Sequence, residues 1–519
     1  MLIRGKIRFV ILVCLLLGLA GAIILLLPKA AGASTKTGGT PDAVVVSKPV
    51  VNLRGGPGTG YALMGQVLRG TRLAVVGKSG DWYKVRLSGG RTVWIAGWLV
   101  KAAAPEPDGS LSRGPDAGPA GEPELAPFSA RTFSAPIRAA LCLNALAAAF
   151  SVYGDYAVID GSSGRILSRP GAGDVFTVTA RKTPGAAVGQ HVYVIQLDRN
   201  RVFSGSYTGP VVLTEGEAAT GNSFRLTVNG ISRHYRGNLT IRLNEGRLLL
   251  VNELPLEEYL YGVVPCEMPP LWPAEALKAQ AVAARSYALY AIKYGGGVFY
   301  DVLATQASQV YRGLDAECTA TTDAVDQTRG LVLVKNDRIV PAYFHSSDGG
   351  YTEDSEDVWR AYVSSIRGKP DPYDRHPENP HYDWSIRYSV YELAAHLSLK
   401  EYPLSVVTEI YEIEKTRVGS KTKKVRVRGL DESGQRQEYL LGNADLVRVA
   451  FRLKAPPVYM KKEYDEETGA LTAVTFTGSG WGHGLGMSQW GARTMAEKGL
   501  DYSDILNFYY AGVKIKAHL

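Results

Sequence analysis

The chain has 519 residues, too many for one hydrophobic core, so two to four domains are expected. Its 45% apolar and 21% charged content is that of a globular protein. A net charge of +8 suits an anionic partner such as a wall polymer, lipid headgroup or nucleic acid, but no zinc-finger spacing, RNA-binding fingerprint or basic run interleaved with aromatics is present, which argues against nucleic acid.

At the N-terminus, Arg4, Lys6 and Arg8 precede an uncharged run over residues 9–27, "FVILVCLLLGLAGAIILLL", closed by Pro28 and Lys29. Nineteen residues at about 1.5 Å each nearly span a bilayer core of roughly 30 Å. A single-pass membrane helix is therefore expected over residues 1–33. A cleaved signal peptide is the alternative, because Ala31-Gly32-Ala33 fits a cleavage site. Either reading exports the body, anchored in one case and secreted in the other. Cys14 lies in the apolar run; Cys142, Cys266 and Cys318 lie outside it. An odd external count allows at most one bridge, and no ligand spacing suggests zinc or another metal.

Residues 43–101 hold short β-rich runs, "VNLR", "TRLAVVG", "DWYKVRL" and "RTVWIAGWLV", separated by "GGPGTG" and "SGG". In "DWYKVRL", Tyr83, Val85 and Leu87 point one way and Lys84 and Arg86 the other. About five such strands predict a small barrel. The segment resembles the bacterial SH3 domain, a resemblance that implies a wall-targeting module. Residues 102–130, with six prolines and four glycines, read as an extended linker. From 135 to 517 the chain is globular again, strand-rich to about residue 250 and then mixed. The fold class is thus α+β multidomain: a membrane helix, a small SH3-like β-barrel and a larger α+β domain.

In "VVPCEMPPLWPAEALKAQAVAARSYALYAIKYGGG", Pro273 suits a first helical turn, Glu275 favours its N-terminal end, and Gly295–Gly297 supply a stop. A helix of about 20 residues is expected. Ala274, Leu277, Ala281, Ala284, Ala288 and Ala291 share one small, close-packing face, with Lys278 and Arg285 aligned on its border. The preceding loop holds Glu267 among Pro265, Pro269 and Pro270, a restrained carboxylate suited to acid/base work. Glu253, Glu257 and Glu258 compete for that role, with a solvated or capping position as their ordinary alternative. Cys266 invites a thiol nucleophile with His345 or His483 as base.

Near the C-terminus, "GSGWGHGLGMSQWGA" places glycine at every second position from Gly478 to Gly486. As a strand it would present one bare face, open to a glycan or to the helix backbone, opposite Ser479, Trp481, His483 and Leu485; a glycine-rich turn between elements is the alternative. Trp481 or Trp490 could offer an apolar platform. "FHSSDGG" lacks a G-x-S-x-G elbow, so Ser346 and Ser347 do not suggest a serine hydrolase.

Taken in order, "LPLEEYLYGVVPCEMPPLWPAEALKAQAVAARSYAL", "QVYRG", "AYFHSSDGGYTED" and the glycine stretch resemble the stage II sporulation protein D family over residues 135–517. That resemblance implies a lytic transglycosylase of peptidoglycan glycan strands, needing no cofactor, with Glu267 at the catalytic position. It implies substrate contacts at Lys278, Gln280, Arg285, Tyr287, Tyr311, His345, Ser346, His483 and Gln489. Arg312 beside Tyr311 is a further candidate for the cleft. An acid role requires burial to raise the glutamate pKa, whereas close cations would lower it, so Lys278 and Arg285 should hold substrate or structure the cleft without pairing to Glu267. The alternative implied function is a non-catalytic wall-binding enhancer of an amidase. Expected partners are glycan strands, the membrane through the N-terminal helix, and other wall hydrolases or sporulation proteins.

Overall fold

A computed structural model describes residues 41–103 and 136–518, apart from 48–49, 59–62, 69–70, 87–91, 185–190, 200–202, 217–220, 296 and 401. The expected membrane helix and almost all of the linker lie outside the described residues. Among the described residues no helix is long and apolar enough to cross a membrane.

The segment from Ala43 to Ala102 forms a seven-stranded antiparallel sheet around Val44, Val46, Val51, Leu53, Val67, Leu73, Val85, Val93, Ile95 and Val100. Val85 is wholly buried as the alternation predicts, and Tyr83 packs partly against the same core.

Residues 137–254, with the short strand Val302–Leu303 added in parallel at one edge, fold into a seven-stranded and a six-stranded sheet sharing one core, which includes Phe150, Phe176, Phe224, Leu239 and Leu250. Leading from the last long strand, Arg247–Leu254, come α1 (Leu256–Tyr261), α2 (Val264–Glu267) and α3 (Ala274–Tyr290). Pro273 caps α3 from just outside it, and a π turn, Ala291–Gly295, extends it to the expected glycine stop.

The small residues of α3 do more than line one face. Ala281, Ala284, Ala288 and Ala291 enter the sheet core, whereas Ala276, Leu277, Ala279, Val282 and Ala283 enter a second core on the other side. Ala274 is exposed. The helix is buried nearly all round, so small side chains are needed on both sides and not on a single stripe. Its surroundings are α4 (Thr319–Gln327), the strand Leu331–Lys335, and two helices from the C-terminal part of the chain.

Between these lies a third core, built on the sheets 383–389/459–464/471–479 and 406–415/422–430/436–441. The short α5 (Ser355–Val358) contributes Val358 to the second core, while α6 (Val390–Ser398) and α7 (Ala444–Ala450) pack in the third. Ser389 and Glu392 form a capping box on α6. The chain then returns to the second core as α8 (Gln489–Glu497) and α9 (Tyr502–Tyr509).

The glycine stretch is not the continuous strand its alternation suggests. The strand Leu471–Ser479 stops there, and Gly480, Gly482, Gly484 and Gly486 take φ of 89°, 120°, 78° and 71°. Alternate left-handed residues turn the chain repeatedly, which only glycine does without strain. The segment 343–349 packs against this backbone: Trp481 and Ser347 exchange backbone hydrogen bonds at 2.8 and 3.1 Å, and Phe344–His345 pairs in parallel with Met487–Ser488.

Candidate active site

Glu267 is the last residue of α2, a single turn begun by Val264 and Pro265. Its Oε1 accepts the backbone N–H of Val310 at 2.7 Å, and its Oε2 lies 3.4 Å from Gln489 Nε2. The same Gln489 nitrogen is 3.4 Å from Gln280 Oε1 on α3. Three expected residues, Glu267, Gln280 and Gln489, therefore meet at one point where α2, α3 and the start of α8 converge. Burial raises the Glu267 pKa above its ordinary value, and the bonds from Val310 and Gln489 only partly oppose it. The Tyr287 ring is held beside this carboxylate; burial raises its pKa, with the charge of Glu267 adding to the rise. Tyr259, also near Glu267, donates its hydroxyl to Gln309.

The two cations do not face this point. Lys278 Nζ closes an ion pair with Glu275 at 2.7 Å on the α9 side, where Glu275 also accepts the Tyr502 N–H. Arg285 has no exposed side-chain surface; it forks onto Glu257 at 2.8 and 2.7 Å and donates to the carbonyls of Leu331 and Val325. Substrate cannot reach it, and its role is to tie α3 to α1, α4 and the strand Leu331–Lys335. Glu257, read from sequence as solvated or capping, is its buried counterion. Tyr311 is likewise corrected: it is 2% exposed, its hydroxyl donates to Asn252, and its ring packs on Tyr235 and Tyr259. The "QVYRG" stretch serves the site through the Val310 amide, while Arg312 is exposed.

The buried His345 and the half-buried His483 lie with ring centroids 5.5 Å apart, both bonded to the backbone of Leu485: His345 Nδ1 to its carbonyl at 3.1 Å, and His483 Nδ1 accepting its N–H at 3.0 Å. Burial depresses both pKa values, that of His483 to about 3, so both rings are neutral at pH 7. They join the glycine-rich turn to the segment 343–349, a structural role that for the buried His345 takes the place of the expected substrate contact. Ser346 enters through its carbonyl, which accepts the Trp490 N–H at 3.1 Å. Cys142, Cys266 and Cys318 are free. Burial raises the Cys266 thiol, which opposes the thiolate a nucleophile requires.

Two features escape the sequence reading. Trp272, just beyond the proline loop, packs on Trp490 with ring centroids 4.9 Å apart, and Arg493 lies over both rings at 5.4 and 5.1 Å. Beneath α8, Asp374 accepts from Ser347 Oγ, Gly349 N and Ser488 Oγ at 2.7, 2.8 and 2.6 Å. Ser488 caps α8, so Asp374 fixes the residue beside Gln489. Next to it burial raises the pKa values of the Asp348 and Asp371 carboxyls, and the charges of Asp371 and Asp374 raise that of Asp348 further. No spacing rule brings positions 348, 371 and 374 to positions 488 and 489. Among the described residues no group of three or more His, Cys, Asp or Glu is arranged to hold a metal.

Comparison with known proteins agrees with this architecture. The model described as "Stage II sporulation protein" matches residues 244–334, which span α1 to α4, and that of the bacterial SH3 domain matches residues 49–101. A domain of unknown function matches residues 363–486, which include the third core. An uncharacterized protein of Brachyspira hyodysenteriae is 36% identical over 290 residues, covering 56% of this chain and 73% of that one. The "Amidase enhancer" of Bacillus subtilis is 32% identical over 296 residues, covering 50% of this chain but 40% of its own length. "Stage II sporulation protein D" of Bacillus subtilis is 31% identical over 288 residues, 51% of this chain and 75% of that protein. The chain belongs to the stage II sporulation protein D family.

Proposed function

We propose that this protein cleaves peptidoglycan glycan strands as a lytic transglycosylase, with Glu267 as its single acid/base. The observation that carries the reading is a partly buried carboxyl, with its pKa raised and hydrogen bonded by amides, while the cations Lys278 and Arg285 are paired elsewhere. A free glutamate titrates near about 4.3; burial moves it toward the range in which it can donate a proton.

In this reading protonated Glu267 gives its hydrogen to the oxygen bridging N-acetylmuramic acid to N-acetylglucosamine, and the C1–O bond breaks. The resulting carboxylate takes the proton from the muramyl 6-hydroxyl, whose oxygen closes onto C1. The product is a 1,6-anhydro end; no water is consumed and no second carboxylate is needed. Val310 N–H holds Oε1, and Oε2, which faces Gln489, carries the proton that is exchanged with the sugar. Trp272 and Trp490 offer an apolar platform for a sugar face beside the carboxyl. The SH3-like segment would hold the protein to the wall, and an exported body fits such a substrate.

A second reading is favoured by the 32% identity to a protein named "Amidase enhancer": a non-catalytic protein that uses the same cleft to hold glycan and stimulate an amidase. Purified protein incubated with sacculi, with no amidase present, separates the two. Anhydro-muropeptides that disappear in Glu267→Gln support the lytic reading. Their absence from the parent protein, with amidase stimulation retained, selects the enhancer.

A further inference from the structure

Gln489 and Gln280 form a chain of two amides ending on the Glu267 carboxyl, and one hydrogen-bonding atom in that chain is left over. Gln489 Nε2 faces both Glu267 Oε2 and Gln280 Oε1 at 3.4 Å. Gln280, with no exposed surface, has its own Nε2 buried without an acceptor. This arrangement suits a carboxylate, which only accepts.

A protonated Glu267 requires the reverse. Its O–H needs an acceptor, and Gln489 supplies one if its amide turns by 180°, bringing Oε1 to the carboxyl. Two amide oxygens would then oppose each other unless Gln280 turns as well, after which Gln280 Nε2 donates to Gln489 Oε1. The buried position formerly held by an orphaned N–H becomes a carbonyl, the less costly group to leave unpaired. Only two of the four amide orientations are self-consistent, one for each protonation state of Glu267.

We propose that Gln489 and Gln280 act as a paired amide relay whose hydrogen-bond polarity reverses when Glu267 gains or loses its proton. This rests on the reading of Glu267 as acid and then base, and supplies what that reading needs: a neutral neighbour able to stabilise both forms within one turnover. Both are positioning residues, because they act on the carboxyl and not on the sugar. The other titratable groups around Glu267 are Tyr259 of α1, Cys266 of α2 and Tyr287 of α3; burial raises the pKa of each, so all are neutral at pH 7 and none substitutes for the relay.

The test is a pH titration of full-length protein selectively labelled with 15N-glutamine. The side-chain amide signals of Gln489 and Gln280 are expected to move together, with one midpoint, and to be pH-independent in Glu267→Gln. Gln280→Met, close in volume, removes the orphaned N–H that favours the protonated acid. It is expected to move the pH of half-maximal cleavage down by about one unit and to lower kcat with KM unchanged. Static amide signals in the folded parent protein, or a parental pH profile in a folded Gln280→Met variant, overturn the relay. Amides that titrate together in a protein yielding no anhydro products retain the relay and discard the lytic function; products formed beside static amides do the opposite.

Discussion

Arg285 and Glu257 lock α3 to α1 through two parallel hydrogen bonds of 2.8 and 2.7 Å, with the guanidinium wholly enclosed. Its remaining donors reach the carbonyls of Leu331 and Val325. The pair is therefore a structural joint under the site, its members 10 residues before and 18 residues after Glu267 in the chain. Removing one partner leaves a buried charge without compensation, which costs about 3–5 kcal/mol. Glu257→Ala is expected to lower stability by that order in denaturant titration. Arg285→Lys is expected to recover only part of the loss against Arg285→Ala, because an ammonium cannot reproduce the fork. Loss of activity in Arg285→Ala with unchanged stability would contradict this role.

Burial raises the folded-state pKa of Glu267 above that of the unfolded chain, so its contribution to stability is fully present below about 4.3 and is lost as pH rises through the folded value. Glu267→Gln keeps the shape and removes the charge. It is expected to melt at a higher temperature than the parent protein at pH 8, with the difference closing toward pH 4, while anhydro-product formation is lost at every pH. A variant less stable than the parent at pH 8 would show that the carboxylate is comfortable where it stands.

The left-handed glycines give a sharper contrast than most backbone positions. A Cβ on Gly480 would lie 2.5 Å from the Ser347 carbonyl oxygen, and one on Gly486 would overlap the Tyr343 carbonyl. Gly499, at φ 87°, meets nothing within 4 Å. Gly499→Ala isolates the conformational penalty, about 1–2 kcal/mol. Gly486→Ala is expected to exceed it clearly in thermal unfolding, because the steric clash adds to the same backbone strain.

Asp374 gathers three donors at 2.6–2.8 Å, two of them the hydroxyls of Ser347 and Ser488. Asp374→Ala strands those groups in a buried setting and is expected to cost about 2–4 kcal/mol in urea unfolding. It should also loosen the start of α8, so that cleavage falls even at temperatures where the variant remains folded. Asp374→Asn restores part of both, since its amide oxygen still accepts.

The sequence was most legible where a local rule governs. Proline restraint at Glu267, the small residues of α3 and the β-rich runs of the N-terminal barrel follow from single stretches read alone. Partner choice was not legible. Lys278 and Arg285 share a helical border, yet one finds Glu275 a turn away and the other finds Glu257, 28 positions earlier in the chain. Their spacing says nothing of which acid each meets. The glycine alternation leaves two paths open, because a period of two fits both an extended strand and a chain of left-handed turns; only the path of residues 343–349 decides between them. Tyr311 was named for its motif, but the useful atom there is the neighbouring amide of Val310, which any residue other than proline supplies.

The carboxyl of Glu267 and the amide of Gln489 are 222 positions apart. A polypeptide emerging during synthesis thus carries its acid long before it carries the group that faces it. A copy lacking α8 would present the Glu267 carboxyl without the amide that faces it, whatever reaction the site performs.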